Sequence, residues 1–385
     1  MAKFNAKSAD PIDVLILGDH PCAYLAGTLL KANSKLRIVQ APLDDPEPQD
    51  RLVTINPALF NLHPLLKQLE TSLPSTPIHG LHFLSDDQKT HSQHHTKATI
   101  SLIARYTDVR DQLAALTEPA QVEKIPSPLI HLHRVHENGL DVTVGKHKLT
   151  PRVLLLAGQL PAEHKALLGI PDSWGPDVVH RFTTVRCKNP KHLNTTDKHL
   201  MPMSLDLCSS LCWGWLLPGD GEFQLLVEQP IERATPTSGL KLLQHWVNVL
   251  QQHQVLGPKF ELPPNPPAGI NTMDRPLAGA LAQEGVANRT LLIGPAGGFY
   301  SACGEDIYPA CWSSLFAVDV LKKALKEPHL QDALNPYRQK WRTTLGDYLR
   351  GPQQNLRFLL PMVYRNPAMT ERIAEAILLS KSVVR

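Results

Sequence analysis

Three apolar runs in this chain end on a glycine: "DVLILG" at Gly18, "RVLLLAG" at Gly158 and "TLLIG" at Gly294. Each is continuously hydrophobic rather than alternating, the pattern of a strand buried on both faces, and such strands belong to parallel sheets. Alternating runs lie between them, among them "FQLLVEQP" and "HLHRVHENGLDVTVGKHKLT". The second of these reads as a hairpin turning at Asn138-Gly139, with another turn at Gly145-Lys146. The order predicts an α/β chain with a parallel core sheet and an antiparallel second sheet. Its 385 residues suit one large composite domain or two domains.

Composition removes several classes. A net charge of +3 is too small at this length to argue for nucleic acid. No apolar segment approaches the roughly 20 residues of a membrane span. The opening "MAKFNAKSAD" is polar and the apolar run behind it is short, so a first strand is expected rather than a signal peptide, and a cytoplasmic location with it. Six cysteines make no C-x-x-C pair and read as small buried hydrophobes. Among 18 histidines, "HSQHHTK" reads as a solvated loop. His131 and His133 share a face of a strand, but no carboxylate or cysteine completes a ligand set in the sequence around them. No metal is expected.

The first run continues into a helical pattern from Pro21, a strand–turn–helix of the kind that cradles a dinucleotide phosphate. Such a turn places glycines where this chain has His20 and Ala23. The residue that would bond the ribose hydroxyls falls at the end of "KLRIVQ", on Gln40, which brings no charge.

Taken together, the first run, "LLLAGQLPAEHKALLGIP" (154–171) and "LLIGPAGGFYSACGEDIYPACWSSLFAVDVL" (291–321) resemble the three cofactor motifs of FAD-dependent oxidoreductases of the aromatic-hydroxylase fold. Ala157-Gly158 with the "LLGI" of Leu167 to Ile170 corresponds to the second motif. Gly294, Pro295, Ala296, Gly297, Gly298 and Phe299 with Gly304, Glu305, Asp306 and Ile307 correspond to the third. "CWGWLLPGDGEF" narrows the resemblance to the geranylgeranyl reductases, with Trp213, Trp215, Leu217 and Pro218 matching position by position.

The resemblance implies an α/β fold with an FAD/NAD(P)-binding Rossmann-like parallel sheet, an inserted and mostly antiparallel substrate sheet, and C-terminal helices. It divides the chain into an FAD-binding lobe at 1–185 with a small insertion near 45–100, a substrate sheet at 186–270, a second part of the FAD lobe at 271–330, and helices at 331–385. FAD would be held by Gly18, His20, Ala23, Gln40, Arg105, Gly158, Gly294, Pro295, Gly297, Gly298, Gly304, Glu305 and Asp306, with Arg110 competing for the role of Arg105. Trp213, Trp215 and Leu217 would border a hydrophobic, isoprenoid-like substrate, unless the two tryptophans simply share a buried face. Cys303 is the one candidate catalytic side chain. An external donor such as NAD(P)H would reduce the flavin, and peripheral contact with a membrane is compatible with such a substrate.

The departures from the pattern all fall on the cofactor. His20 sets an imidazole where the backbone should approach the diphosphate, Gln40 and Pro295 replace acids, and Pro295 also removes a backbone donor. Asp306 puts a carboxylate in a turn that normally has glycine, though an acid there also suits the start of a helix. Two functions follow: an FAD-dependent oxidoreductase, of reductase or monooxygenase type, or a flavin-free binding or scaffold protein with the same fold. A plain NAD-dependent dehydrogenase would leave the two later motifs without a purpose.

Overall fold

The computed structural model describes the chain apart from residues 1–10, 33, 45–49, 87–89, 172–178, 189, 195–198, 209–211, 236, 263–269, 277–284, 302–303, 350–355, 380 and 382–385. The three glycine-ended runs are neighbours in one six-stranded sheet. Its order is Val286–Ala287, Thr290–Leu292, Pro151–Leu156, Ile12–Leu17, Ile38–Ala41, Glu123–Lys124. Every pair is parallel except the first. Leu17 lies opposite both Leu156 and Ala41, and Leu156 opposite Leu292, so the strands end level. Backbone bonds carry the pairing past the ends: Gly18 N–H to the Ala41 carbonyl, Ala157 N–H to that of Leu17, Ile293 N–H to that of Leu156. Parallel strands share one carboxyl edge, and Gly18, Gly158 and Gly294 gather on it.

Side chains alternate across this sheet. Val14 and Ile16 pack with Ala23, Ala26 and Leu30 of the helix Pro21–Lys31 and with Ala317 and Leu321 of the helix Ile307–Ala324. Leu15 and Leu17 pack on the other face with Leu132, Leu140 and Val142. Those last residues belong to a three-stranded sheet of Ile130–His136, Gly139–Val144 and His147–Leu149, the hairpin read from the sequence.

The second large sheet has seven strands in the order Ile270–Pro276, Val179–Cys187, Glu222–Pro230, Cys212–Gly219, Leu200–Leu207, Gly80–Leu84, His91–His95. It is antiparallel except between Leu200–Leu207 and Gly80–Leu84. Its last two strands come from the segment read as a small insertion. "HSQHHTK" is therefore an edge strand, not a loop; an edge strand pairs on one side only and tolerates a polar sequence. One face is covered by Leu243, Trp246 and Leu250 of the helix Ser238–Gln252. The other meets the C-terminal helices Leu356–Val363 and Pro367–Leu379. Pro361 lies inside the first of these, while Pro367 opens the second, where its missing N–H costs no bond.

Candidate functional site

The carboxyl edge of the six-stranded sheet gathers most of the expected cofactor residues, and they touch one another. Gly18 has φ +122°, and a Cβ there would stand 3.0 Å from the carbonyl carbon of Ala157, so the turn needs glycine. His20 precedes the helix Pro21–Lys31 and its side chain is 3% exposed. Its Nδ1 lies 3.1 Å from Cys22 Sγ and its Nε2 lies 3.6 Å from Asp306 Oδ2. Ala23 is buried behind it in the sheet core.

The other parts of the turn are closed as well. Gln40 Nε2 donates to the Gly18 carbonyl at 3.1 Å and is buried. At Gly158, the Leu43 side chain comes to 3.2 Å of the place a Cβ would take. Gly294 has φ +52° and a Cβ there would lie 2.7 Å from Cys22 Sγ, so the third motif presses directly on the first helix. Gln159 Nε2 donates to the Pro295 carbonyl at 2.9 Å, and Gly298 ends the Gly294–Gly297 turn at φ +66°.

Beyond this turn stand Gly304, Glu305 and Asp306. Asp306 precedes the helix Ile307–Ala324 but makes no capping bond to it. Its carboxylate instead receives Nη2 of Arg51 at 3.1 Å and faces Nη2 of Arg275 at 3.9 Å. Arg51 also lies over the Tyr106 ring, 3.8 Å from its centroid, and Arg275 Nη1 donates to the Gly304 carbonyl at 2.5 Å. Burial alone would raise the Asp306 pKa, but His20, Arg51 and Arg275 hold it well below the usual carboxylate range. His20 is raised to about 10: burial opposes its charge, and the Cys22 sulfur and the Asp306 carboxylate outweigh burial. Its Nδ1 also accepts the Cys22 backbone N–H at 3.3 Å, capping the helix Pro21–Lys31, which leaves Nε2 as the donor side of the ring.

Glu305 behaves in the opposite way. Burial, with the Asp306 charge beside it, pushes its pKa up to about 8 against bonds from the Tyr308 N–H and the Tyr348 hydroxyl. The cluster thus sets Arg51, Arg275 and His20 around the Asp306 carboxylate, with Glu305 beside it. His20 Nε2 and Asp306 Oδ1 are buried without a hydrogen-bond partner.

One expected residue is placed elsewhere. Arg105 is 47% exposed and paired with Glu222 at 2.6 Å, whereas its competitor Arg110 reaches Asp19, next to Gly18, at 3.7 Å. Cys303 lies outside the described residues. Arg51, Tyr106 and Arg275 were not expected at the site. They come from the strand ends around "RLVTI" and "INTMDR" and the start of a helix, where nothing local sets them apart from ordinary surface positions.

Trp213 and Trp215 share one face of the second sheet, ring centroids 5.6 Å apart, at 3% and 2% exposure. Phe182 stacks on Trp215, and Leu217, Leu360, Val363 and Ile377 belong to the same core. Gly214 between them faces the other side, where Trp246 donates its indole N–H to the Trp215 carbonyl at 3.0 Å.

A sheet edge of three glycine turns beside a large antiparallel sheet is the architecture of FAD-dependent oxidoreductases and monooxygenases. A geranylgeranyl bacteriochlorophyll reductase-like protein from Thermoplasma acidophilum superposes with a TM-score of 0.73 at 14% identity, over 96% of this chain and 93% of that one. A flavoprotein/dehydrogenase from Cytophaga hutchinsonii gives 0.66 at 12% identity over 96% and 93%. The p-nitrophenol 4-monooxygenase of Pseudomonas putida gives 0.65 at 13% identity over 97% and 95%. No family model matches the sequence, and no curated protein does. At such identities the likeness is one of fold.

FAD would ask two things of this edge: positive charge for its diphosphate, and room. The charge is present, in Arg51, Arg275 and His20, and the unpartnered Nε2 of His20 is a donor suited to a phosphate oxygen. The room is taken up by the imidazole, by the Asp306 carboxylate between the cations and by the Gln40 amide on Gly18. The donor set suits the dianion, but the space it would need is filled by these side chains.

Proposed function

We propose that this chain is an FAD-dependent oxidoreductase with an altered cofactor site, acting on a hydrophobic small molecule. One observation carries the reading: Arg51, Arg275 and His20 converge at the edge where three glycine-ended strands meet. Clustered guanidinium and imidazole donors are the groups that bind a diphosphate. Arg51, His20 and Arg275 would hold that group, and bound FAD would supply hydride or oxygen chemistry. The substrate would lie against Trp213, Trp215 and Leu217, and the reducing equivalents would come from an external donor such as NAD(P)H. Contact with a membrane surface would fall on the helix Leu356–Val363, where Phe358 and Met362 are exposed one turn apart.

The closed state of the same edge favours a second reading, a flavin-free binding or scaffold protein. Titration of the unmodified chain with FAD, followed by flavin fluorescence, separates the two. Saturable binding at one equivalent, tighter for Asp306→Asn because the competing carboxylate is gone, supports the oxidoreductase. No binding by either form supports the flavin-free reading.

A further inference from the structure

The hairpin that covers the outer face of the core sheet brings His131 against the helix Ala162–Leu168, which contributes Glu163 and His164. One ligand atom from each of the three lies within 4.8 Å of the others, the one such group among the described residues. His164 is 3% exposed. Its Nε2 lies 3.2 Å from the Ile130 carbonyl, and only a protonated nitrogen can bond a carbonyl. The lone pair of the neutral ring is then on Nδ1, which is buried with no hydrogen-bond partner, 3.8 Å from Glu163 Oε1. A backbone carbonyl that fixes the tautomer and leaves the other nitrogen bare is how metal-bound histidines are oriented.

We propose that His131, Glu163 and His164 form a zinc site. Two neutral imidazoles and a carboxylate suit a borderline divalent transition ion rather than calcium or magnesium, which prefer oxygen ligands. A tetrahedral ion with bonds of about 2.0–2.2 Å holds its ligand atoms about 3.3–3.6 Å apart. The exposed side chains of His131 and Glu163 therefore close in by up to about 1.4 Å while His164 stays fixed. Three protein ligands leave a fourth position open. His131 also lines a neighbouring groove of about 440 Å³ with Leu43, Leu129 and Pro161, so a water or an anionic group can reach the ion from that side. Zinc here ties the hairpin to the helix that follows the second glycine turn. The two fragments flank "LLLAGQLP" and nothing in the sequence between them signals a metal.

The test uses the metal-free full chain and zinc(II), with a chromogenic chelator as competitor. Cobalt(II) serves as the spectroscopic probe. One equivalent should bind at low-micromolar Kd or tighter, and cobalt should give the intense visible bands of a four-coordinate site. His131→Ala and Glu163→Gln, both at exposed positions, should each weaken that equivalent at least tenfold. His133→Ala is the control: its ring lies 4.7 Å from that of His131 but its Nε2 is engaged with Thr143. It should change affinity less than threefold. Zinc taken up by other surface histidines would survive His131→Ala, so the loss of one equivalent is the quantity read. Millimolar binding by the unmodified chain, binding unchanged in His131→Ala, or an equal loss in His133→Ala would each overturn the assignment.

Discussion

The carboxylate of Asp306 meets the guanidinium of Arg51 at 3.1 Å with 1% and 3% of their side chains exposed. The two residues come from distant parts of the chain, and neither charge would be stable there alone. Removing one partner of such a pair strands the other, which typically costs about 3–5 kcal/mol. Asp306→Asn should therefore lower the urea midpoint sharply, since Arg51, Arg275 and His20 lose the carboxylate they share. The exposed pair Arg181–Asp274 is the contrast: Arg181→Ala should cost about 1 kcal/mol or less. Equal losses in the two variants would mean that the buried cluster is solvated after all.

Glu305 predicts a pH dependence. Its pKa rises from 4.5 to about 8 on folding, so the folded chain holds more protons between those values. The stability it contributes is complete below 4.5 and is lost as pH rises through about 8. Glu305→Gln cannot titrate, and its unfolding free energy should fall less between pH 5 and 8 than that of the unmodified chain. His20, also raised, adds a loss of the same sign above 6.5, but that loss is common to both proteins and cancels in the difference. Parallel pH profiles would show Glu305 to be ionised in the fold.

The turn itself is tested by restoring it. A variant with His20→Gly, Gln40→Glu and Pro295→Asp opens the diphosphate approach and returns two acids. It also gives up the Gln40–Gly18 bond and sets a carboxylate near the Gly18 carbonyl, so it should be less stable than the parent without ligand. Its FAD affinity should exceed the parent's at least tenfold, since each charge-assisted bond is worth roughly 1.5–3 kcal/mol. Fluorescence titration of both proteins decides it; equal affinities would locate flavin binding elsewhere or nowhere.

The tryptophan face predicts a division between packing and binding. Trp215→Ala should cost about 3–5 kcal/mol, as expected for a large side chain buried in a shared core. Gly214→Ala should cost about 1–3 kcal/mol, because its Cβ would lie 2.7 Å from Leu207 and 2.9 Å from Trp246. If Trp213 also borders a substrate, Trp213→Ala should weaken binding of a long isoprenoid more than binding of FAD. Equal effects on the two ligands would leave Trp213 with a packing role only.

The sequence by itself determined the frame of this protein. Continuous apolar runs specify strands buried on both faces, and glycine at their ends marks the turns, so the parallel sheet and its carboxyl edge could be read locally. The departures at His20, Gln40, Pro295 and Asp306 were equally visible, because each is a single letter at a known place in a short motif. Only the tertiary structure decided what those letters do. Asp306 looked like an ordinary acid at a helix start, yet it answers Arg51, just before the strand Leu52–Ile55, and Arg275, in the strand Ile270–Pro276. Arg105 and Arg110, five residues apart, looked interchangeable until folding sent one to Glu222 and the other to Asp19. The same holds for His131, whose carboxylate and second imidazole are supplied by a helix more than thirty residues further along the chain. Burial and charge pairing are set by which distant segments pack together, and hydrophobic periodicity along a chain carries no record of that choice.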